Sequence, residues 1–430
     1  MRLPKQSSVR FLILCLVLWG TMAGAAEPVV QRRIACEMPG APSELSDWTI
    51  LFYCNADFQG SNVSDLFAQR MQSRDNVTVL MLEDPYVGEA TLWLEGGDAE
   101  APMLRALEAW GEVDMGGAET LARLLAFAQT WYPSKQTMAM LYSHGNGWRG
   151  VCYDDHPSTD VRVETTWLTP DEISAALRSV GGIDVLLLTS PCNTGTLEFG
   201  YELRQCTSLF VASEAGSSFY VWEKSLPLIL DSLTTRPELP IETLGMQLPI
   251  WVQGAYDRAF WTDQLPEDKH SLIPTAVLSS VLGAAFGDDL AESLDVFSQA
   301  LIAALPEYGE QTNQARRASQ DFAYRAYVDA CEFADQVSTI MGMKDVSDRF
   351  REALSHAIIQ SVTDNDSHPS AHGLSLYFPI NPSGALSERE YDEQYGFGYY
   401  REDYIQASLD LVDETRWDEF LVEFYKTVLD

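Results

Sequence analysis

The sequence has little positive charge. Of its 430 residues, 28 are Lys or Arg and 63 are Asp or Glu, so the formal net charge is −35 at pH 7. Proteins that bind nucleic acid neutralise phosphates with clustered basic side chains. The charge balance therefore argues against a nucleic-acid partner, and it is typical of a solvated, soluble surface.

Cysteine-based metal and redox motifs are also absent. None of the seven cysteines forms a C-x-x-C pair, which removes the usual signature of a zinc site or a thioredoxin-type centre. A chain of this length does not need disulfides to fold. The acidic clusters Asp154-Asp155 and Asp364-Asn365-Asp366 lack EF-hand spacing, so the residues themselves predict no metal site.

The N-terminus carries an apolar stretch that is too short to cross a membrane. Three basic residues precede Phe11 to Trp19, and the small residues Ala23 to Ala25 follow it. About 20 apolar residues are needed to span a bilayer, so a secretory signal explains this pattern better than a retained anchor. We predict a signal peptide at residues 1–25 and a secreted or periplasmic protein without membrane contact. Cleavage would make the formal charge about −38, because three positive and no negative charges leave.

The chain after the signal alternates strand-like and helix-like segments. Continuous apolar runs of strand length occur at Trp48–Tyr53, Val77–Glu83, Met138–Ser143, Ile183–Thr189 and Ser208–Ser213, and helical patterns occur at Ser64–Gln72, Ala118–Trp131 and Pro170–Val180. Strands buried on both faces look like this and belong to parallel sheets. The order predicts an α/β fold with a doubly wound, mostly parallel sheet. Ala90–Gly97 reads as an added hairpin strand.

The pattern changes near residue 240. Pro-containing stretches lead into long helical segments, which we predict at Asp288–Leu305 and Asn313–Ile340. We therefore divide the mature chain into a domain at 26–240 and a helix-rich region at 241–430. A late strand at 372–380 should pack on the core, either in the main sheet or in a small sheet beside it.

Two of the predicted strands end in residues that can perform chemistry. One runs into His144-Gly145, and another runs into Ser190-Pro191-Cys192. Ligands of open α/β sheets bind beyond the carboxyl ends of the strands. A thiol that attacks a carbonyl needs an imidazole partner and backbone N–H donors for the oxyanion. Cys192 could supply the thiol and His144 the imidazole. The backbone N–H groups of Gly145 and Cys192 could supply the donors to the oxyanion.

Each residue also has an ordinary structural explanation. A cysteine after an apolar run is commonly a small buried hydrophobe, and a lone histidine at a strand end is commonly a hydrogen-bonded structural residue. The pairing of both at the ends of core strands makes the catalytic explanation as good as the structural one on these grounds alone.

The residues around both strands resemble the clostripain branch of the caspase-like cysteine peptidases. The matching blocks follow in the family's order: DWTILFYCNAD, WYPSKQTMAMLYSHGNGW, LTPDEISAAL, CNTGTLEFGYEL with LFVASE, RAYVDACEFA and HGLSLYFP. The resemblance implies a caspase-like, mostly parallel sheet sandwiched by helices, with a largely helical C-terminal region. It implies a His144–Cys192 dyad, peptide or protein substrates and structural roles for Glu198 and Glu214. It also suggests calcium as a cofactor, although the residues call for none.

The specificity pocket departs from the family's pattern for cutting after Arg or Lys. Such members carry a carboxylate two residues before the nucleophile and another after the VASE block; here Ser190 takes the first position and Tyr220 falls near the second. A pocket formed by Ser190, Tyr220 and Trp222 would suit a small, uncharged residue, so we predict no self-cleavage after Lys or Arg. Pro191, where the family usually has Ala, removes an N–H and stiffens the loop.

Two functions follow from these observations. The first is a monomeric, secreted or periplasmic cysteine endopeptidase of altered specificity. The second is a catalytically weak or inactive relative that binds proteins, and it is motivated by Ser190 and Pro191.

Overall fold

The computed structural model describes residues 45–57, 63–68, 71–98, 100–158, 165–217, 221–256, 262, 277–283, 287–322, 325–363, 368–379 and 404–428. The predicted signal peptide, Cys36 and the acidic segment at 364–366 lie outside these ranges.

A nine-stranded sheet organises the described chain. Its strands are β1 (Ser46–Ala56), β2 (Val77–Pro85), β3 (Ala90–Gly97), β4 (Pro102–Gly111), β5 (Ser134–Tyr142), β8 (Ile183–Leu188), β9 (Thr207–Ser213), β10 (Val277–Leu282) and β13 (Ile358–Thr363), in the spatial order β13-β10-β9-β8-β5-β1-β2-β3-β4. The five strands from β9 to β2 are parallel, and the two outer strands on each side are antiparallel. The predicted fold class and the hairpin strand at Ala90–Gly97 are confirmed.

Helices cover both faces of this sheet. Those that the structure describes in the first 260 residues are α1 (Val63–Ala68), α2 (Ala118–Trp131), α3 (Pro170–Ser179), α4 (Leu197–Leu203), α5 (Trp222–Thr235) and α6 (Ile241–Ala255). Buried side chains of α1, α5 and α6 form the core on one face, and those of α2, α3 and α4 belong to the larger core on the other. α3 begins as predicted, because the backbone N–H of Thr169 donates to Glu172 Oε2 at 2.9 Å.

The chain after residue 240 adds strands as well as helices. Besides α6, the helices that the structure describes there are α7 (Asp288–Ala318), α8 (Ala330–Met341), α9 (Lys344–Ala357), α10 (Asp410–Glu414) and α11 (Trp417–Val428). The buried residues of these five helices join the larger core. β10 and β13 extend the main sheet, which the sequence did not predict.

Two small sheets accompany the large one. β6 (Val151–Asp154) pairs with β7 (Thr166–Leu168), and β12 (Tyr327–Asp329) lies between β11 (Asp321–Phe322) and β14 (Ser375–Tyr377). β14 is the late strand of the sequence, and it is antiparallel to β12.

The predicted helix at Asn313–Ile340 is wrong. Helix α7 ends at Ala318, the chain then forms β11 and β12, and α8 begins at Ala330. Arg325 adopts a left-handed conformation with φ of 72°, which interrupts helical backbone. The side chain of Asp329 then caps α8 by accepting a hydrogen bond from Glu332 N.

Candidate active site

The loops that carry His144 and Cys192 leave the sheet side by side. β5 and β8 are adjacent and parallel, and Met140 is aligned with Leu187. His144 follows β5 by two residues, and Cys192 follows β8 by four. Both residues therefore lie at the carboxyl-end edge of the sheet, where ligands of such folds bind.

Gly145 brings the two loops into backbone contact. A Cβ atom at position 145 would come within 2.5 Å of Cys192 O, 2.8 Å of Cys192 N and 2.8 Å of Pro191 Cβ. Real Cβ atoms do not approach backbone this closely, so only glycine fits without a shift of the loops. This contact fixes the position of the histidine loop relative to the cysteine.

The HGNGW loop is held from both sides. The backbone N–H of Cys152 donates to His144 O at 3.1 Å, and that of Asn146 donates to Gly150 O at 2.9 Å. On the other side, the backbone N–H of Trp148 donates to the buried hydroxyl of Tyr327 at 2.8 Å. The sequence did not indicate this role for Tyr327, because 179 positions separate the two residues.

The imidazole of His144 is neutral at pH 7. Burial lowers its pKa to about 4, and the negative charge of Asp155 opposes that effect. Although the residue keeps some solvent exposure, the direction of the shift follows from its surroundings, since removing a cation from water is costly. A neutral imidazole can accept a proton from a thiol.

Cys192 is half-buried and its sulfur contacts the loop after β9. The backbone N–H of Ser217 donates to Cys192 Sγ at 3.2 Å, and as a thiol Cys192 can donate to Ser217 O at 3.7 Å. A donor aimed at sulfur favours the thiolate. Ser217 belongs to the loop that the sequence marked as part of the pocket, but its contact with the sulfur could not be predicted.

The other described cysteines are less suited to nucleophilic chemistry. Burial raises the pKa of Cys206 and Cys331, and it raises those of Cys54 and Cys152 even further. All five cysteines in the described part of the chain are free thiols.

A tight turn presents Cys192 between β8 and α4. Asn193 adopts a left-handed conformation with φ of 56°, and its N–H donates to Ala215 O at 3.1 Å. Thr194 Oγ1 donates to Leu188 O at 2.9 Å, and Gly195 N donates to Ser213 O at 2.8 Å. The turn is thereby attached both to its own strand and to β9.

Ser190 lies beneath this turn. The residue is 1% exposed, and its hydroxyl has no hydrogen-bond partner among the described residues. The side chains of Tyr220 and Trp222, the other predicted pocket residues, lie outside the described part of the structure. Ser217 Oγ donates to Thr189 O at 2.7 Å and lies 3.2 Å from the hydroxyl of Tyr256.

Glu198 and Glu214 join the active-site elements to the C-terminal region. Glu198 Oε1 accepts hydrogen bonds from Tyr377 N at 2.9 Å and from the hydroxyl of Tyr404 at 3.1 Å. Glu214 Oε2 accepts one from Gly373 N at 2.7 Å. Both carboxyl groups anchor backbone more than 150 residues away, as expected of structural residues.

Within the ranges that the structure describes, no group of three or more His, Cys, Asp or Glu side chains could hold a metal ion. The carboxylate of Asp154 accepts hydrogen bonds from Met115 N at 2.7 Å and His156 N at 2.9 Å. Both oxygens of this carboxylate therefore already accept backbone hydrogen bonds. None of the described helices is long and apolar enough to cross a membrane.

Comparisons with known proteins show the family and the fold. A family model described as the clostripain family matches residues 57–424. A secreted C11 cysteine protease from Bacteroides thetaiotaomicron, solved with an irreversible peptide inhibitor, has 14% identity and a TM-score of 0.59, covering 86% of this chain and 99% of its own. An inactive zymogen C11 protease from Parabacteroides distasonis has 16% identity and a TM-score of 0.56, covering 90% and 99%.

A search of curated proteins gave no match. At these identities the solved structures show a shared fold, and the family model, which spans most of the chain, shows the ancestry. The chain therefore belongs to the clostripain family and is a cysteine-type peptidase.

Proposed function

We propose that the protein is a secreted or periplasmic cysteine endopeptidase in which His144 and Cys192 form the catalytic dyad. The observation that carries this proposal is the close contact of Gly145 with the backbone of Cys192, at which a Cβ would come within 2.5 Å of Cys192 O. Through this contact, the loop that carries His144 lies beside the loop that carries Cys192 at one edge of the sheet.

The proposed reaction uses covalent catalysis. Neutral His144 accepts the thiol proton, and Cys192 Sγ attacks the carbonyl carbon of the scissile peptide bond. The C–N bond breaks as the imidazolium returns the proton to the leaving amine, which leaves an acyl-enzyme. Water attacks that thioester, the carboxylic acid departs, and the thiol is regenerated. The N–H groups of Gly145 and Cys192 are the proposed donors to the oxyanion.

The proposed substrate carries a small, uncharged residue before the cut. Ser190 takes the position of a pocket carboxylate, and it is buried with no partner for its hydroxyl among the described residues. A charge-assisted hydrogen bond is worth roughly 1.5–3 kcal/mol, so an Arg or Lys side chain would lose that much in a pocket lacking an acid. Tyr220 and Trp222 are the other proposed pocket residues.

The proposed setting is outside the cytoplasm. It is supported by the signal-like N-terminus and by the relatives from Bacteroides thetaiotaomicron, which are described as secreted. We propose peptide or protein substrates and a monomeric enzyme, because the described chain already builds both loops of the dyad.

The test is turnover of a diverse peptide library by the purified protein. Thiol-dependent cleavage that Cys192→Ala and His144→Ala abolish, and that Cys331→Ala retains, would support the proposal. Cys331 is a matched control because it is also half-buried. No cleavage of any library member would contradict it.

The alternative is a protein-binding relative that no longer catalyses. It is motivated by Ser190 and Pro191, which depart from the family's pattern directly before Cys192. An acyloxymethyl ketone or iodoacetamide separates the two functions. A working nucleophile should react far faster than Cys206 or Cys331, whereas equal rates would favour a binding function.

A further inference from the structure

Two buried carboxyl groups meet behind the loop that contacts Cys192. Glu214 directly follows β9, and Asp329 is the last residue of β12; both are 0% exposed. The N–H groups of two consecutive residues join them to one backbone segment, since His372 N donates to Asp329 Oδ2 at 2.6 Å and Gly373 N donates to Glu214 Oε2 at 2.7 Å. The two carboxyl groups therefore lie close together. Two carboxylates so close together cannot both be ionised without a large cost in free energy. We therefore expect one of the two carboxyl groups to be protonated.

Asp329 is surrounded by hydrogen-bond donors. Asp329 Oδ1 accepts hydrogen bonds from Glu332 N at 2.7 Å and His372 Nδ1 at 3.1 Å, and Oδ2 accepts one from His372 N at 2.6 Å. Asp329 also lies at the N-terminus of α8, where a negative charge is stabilised by the helix dipole. In turn Asp329 raises the pKa of His372, mainly through their hydrogen bond.

Glu214 is in the opposite situation. Its Oε2 accepts one hydrogen bond, from Gly373 N at 2.7 Å, while its buried Oε1 accepts none from the described residues. A proton on Oε1 would turn this unsatisfied atom into a donor to Asp329. Burial, and after it the charge of Asp329, raise the pKa of Glu214 well above the ordinary range for glutamate.

The segment around Glu214 packs directly on the nucleophile turn. A Cβ at Gly195 would come within 2.7 Å of Glu214 N. Asn193 N donates to Ala215 O at 3.1 Å, and Ser217 N donates to Cys192 Sγ at 3.2 Å. A displacement of residues 213–217 would therefore move both the turn and the donor that faces the sulfur.

We propose that Glu214 is protonated in the folded protein and donates to Asp329, and that this hydrogen bond positions residues 213–217 against Cys192. Glu214 is a positioning residue, because it acts through Ser217 and the turn. The charged groups that face it are Asp329 and, around Asp329, His372 and Glu332. The inference rests on the proposed function only in naming Cys192 the nucleophile.

Urea unfolding between pH 5.5 and 8 tests the proton. Unfolded glutamate is ionised above about pH 4.3, so folding of the wild type must take up one proton at Glu214. As the pH rises, the folding equilibrium constant of the wild type should therefore fall about tenfold per pH unit relative to that of Glu214→Gln, whose side-chain amide is a permanent donor. Glu310→Gln, at an exposed position of α7, should follow the wild type. Parallel pH profiles for the wild type and Glu214→Gln would overturn the proposal.

The rate of Cys192 alkylation by iodoacetamide tests the positioning. Glu214→Gln should stay within about twofold of the wild type at pH 7, whereas Glu214→Ala should be slower by about tenfold or more, because small displacements near reacting groups are costly. Equal rates in all three proteins would overturn the positioning role.

Asp329→Asn covers the case in which Glu214→Ala does not fold. Asparagine still caps α8 but removes the charge beside Glu214, so the proton uptake on folding should shrink; an unchanged uptake would contradict the pairing. Neither measurement needs a peptide substrate. A lack of peptidase activity would therefore contradict the proposed function without altering either result.

Discussion

Gly145 lies directly against the backbone of Cys192, and a Cβ atom at this position would come within 2.5 Å of the Cys192 carbonyl oxygen. The contact joins the loops after β5 and β8, which carry the imidazole and the thiol. The proposed active site thus depends on a residue that has no side chain.

Gly145→Ala should lower peptidase activity strongly while leaving the protein folded. The added methyl group must push the histidine loop away from Cys192, and a displacement of about 1 Å in an active site can cost about 100-fold in rate. The measurement is kcat/KM on a library-derived peptide, with circular dichroism as the check on folding.

Gly254→Ala is the matched control. A Cβ at this exposed residue of α6 would meet nothing within 4 Å, and alanine is the better helix former by about 1 kcal/mol. Wild-type activity in Gly145→Ala would contradict the proposed arrangement of the loops.

Ser190→Asp should restore cleavage after Arg or Lys. A carboxylate at this buried position would supply a charge-assisted partner worth roughly 1.5–3 kcal/mol, which corresponds to about 10- to 150-fold in kcat/KM. Paired peptides that differ only in Arg or Gln before the cut measure the change, and Ser190→Ala controls for loss of the hydroxyl. No gain for Arg in a folded Ser190→Asp variant would show that Ser190 does not line the pocket.

Because His144 is neutral down to a low pH, the acid limb of the profile of kcat/KM against pH should lie at an unusually low pH. Its pKa of about 4 means that kcat/KM should fall only as the pH approaches 4, rather than near the ordinary histidine value of about 6.5. An acid limb near pH 6.5 would contradict this assignment.

The same shift makes folding stability depend on pH. Between pH 6.5 and about 4 the unfolded chain binds a proton at His144 that the folded chain does not. Stability is therefore fully present above pH 6.5 and should fall by up to about 1.4 kcal/mol per pH unit as the pH drops through this window. Urea unfolding of the wild type and of His144→Gln, which cannot titrate, measures the difference; identical slopes would show that the histidine is not shifted.

Tyr327→Phe should destabilise the protein and impair the HGNGW loop. The change leaves the backbone N–H of Trp148 without the hydroxyl that accepts its hydrogen bond at 2.8 Å, and a buried unpaired donor costs about 1–3 kcal/mol. Urea unfolding gives the cost and kcat/KM the effect on the loop. Tyr86→Phe, at a residue that is 49% exposed, is the control, and an equal effect of both variants would contradict the role of Tyr327.

The protein purified without other proteases should keep an intact mass. The proposed pocket contains no acid, so we expect it to reject the basic residue that self-cleavage after Arg or Lys would require. Mass spectrometry that finds a cut after Arg or Lys, present in the wild type and absent from Cys192→Ala, would overturn the predicted specificity.

Long, regular elements were predictable from the sequence. The five apolar runs all form strands of one sheet, and α2 has the predicted bounds of Ala118–Trp131. Such elements carry their own periodicity or continuous hydrophobicity. Short elements do not, and so the two-residue β11 and the three-residue β12 were mistaken for part of a helix.

Strand pairing after residue 240 could not be predicted for a related reason. β10 is aligned with β9 through pairs such as Leu278 with Ser213, 65 positions apart in the chain. A short strand toward the outside of a sheet is identified by the strand with which it pairs. A single sequence does not show which strand that is.

The sequence by itself determined which residues are the candidates for the chemistry, because His144-Gly145 and Cys192 each follow an apolar strand and lie within recognisable blocks. Only the tertiary structure decided what surrounds them. The hydrogen bonds from Ser217 N to Cys192 Sγ, from Trp148 N to the hydroxyl of Tyr327 and from Gly373 N to Glu214 all join residues distant in the chain. Such contacts follow from how the sheet and its loops pack, and local sequence patterns carry no record of that packing.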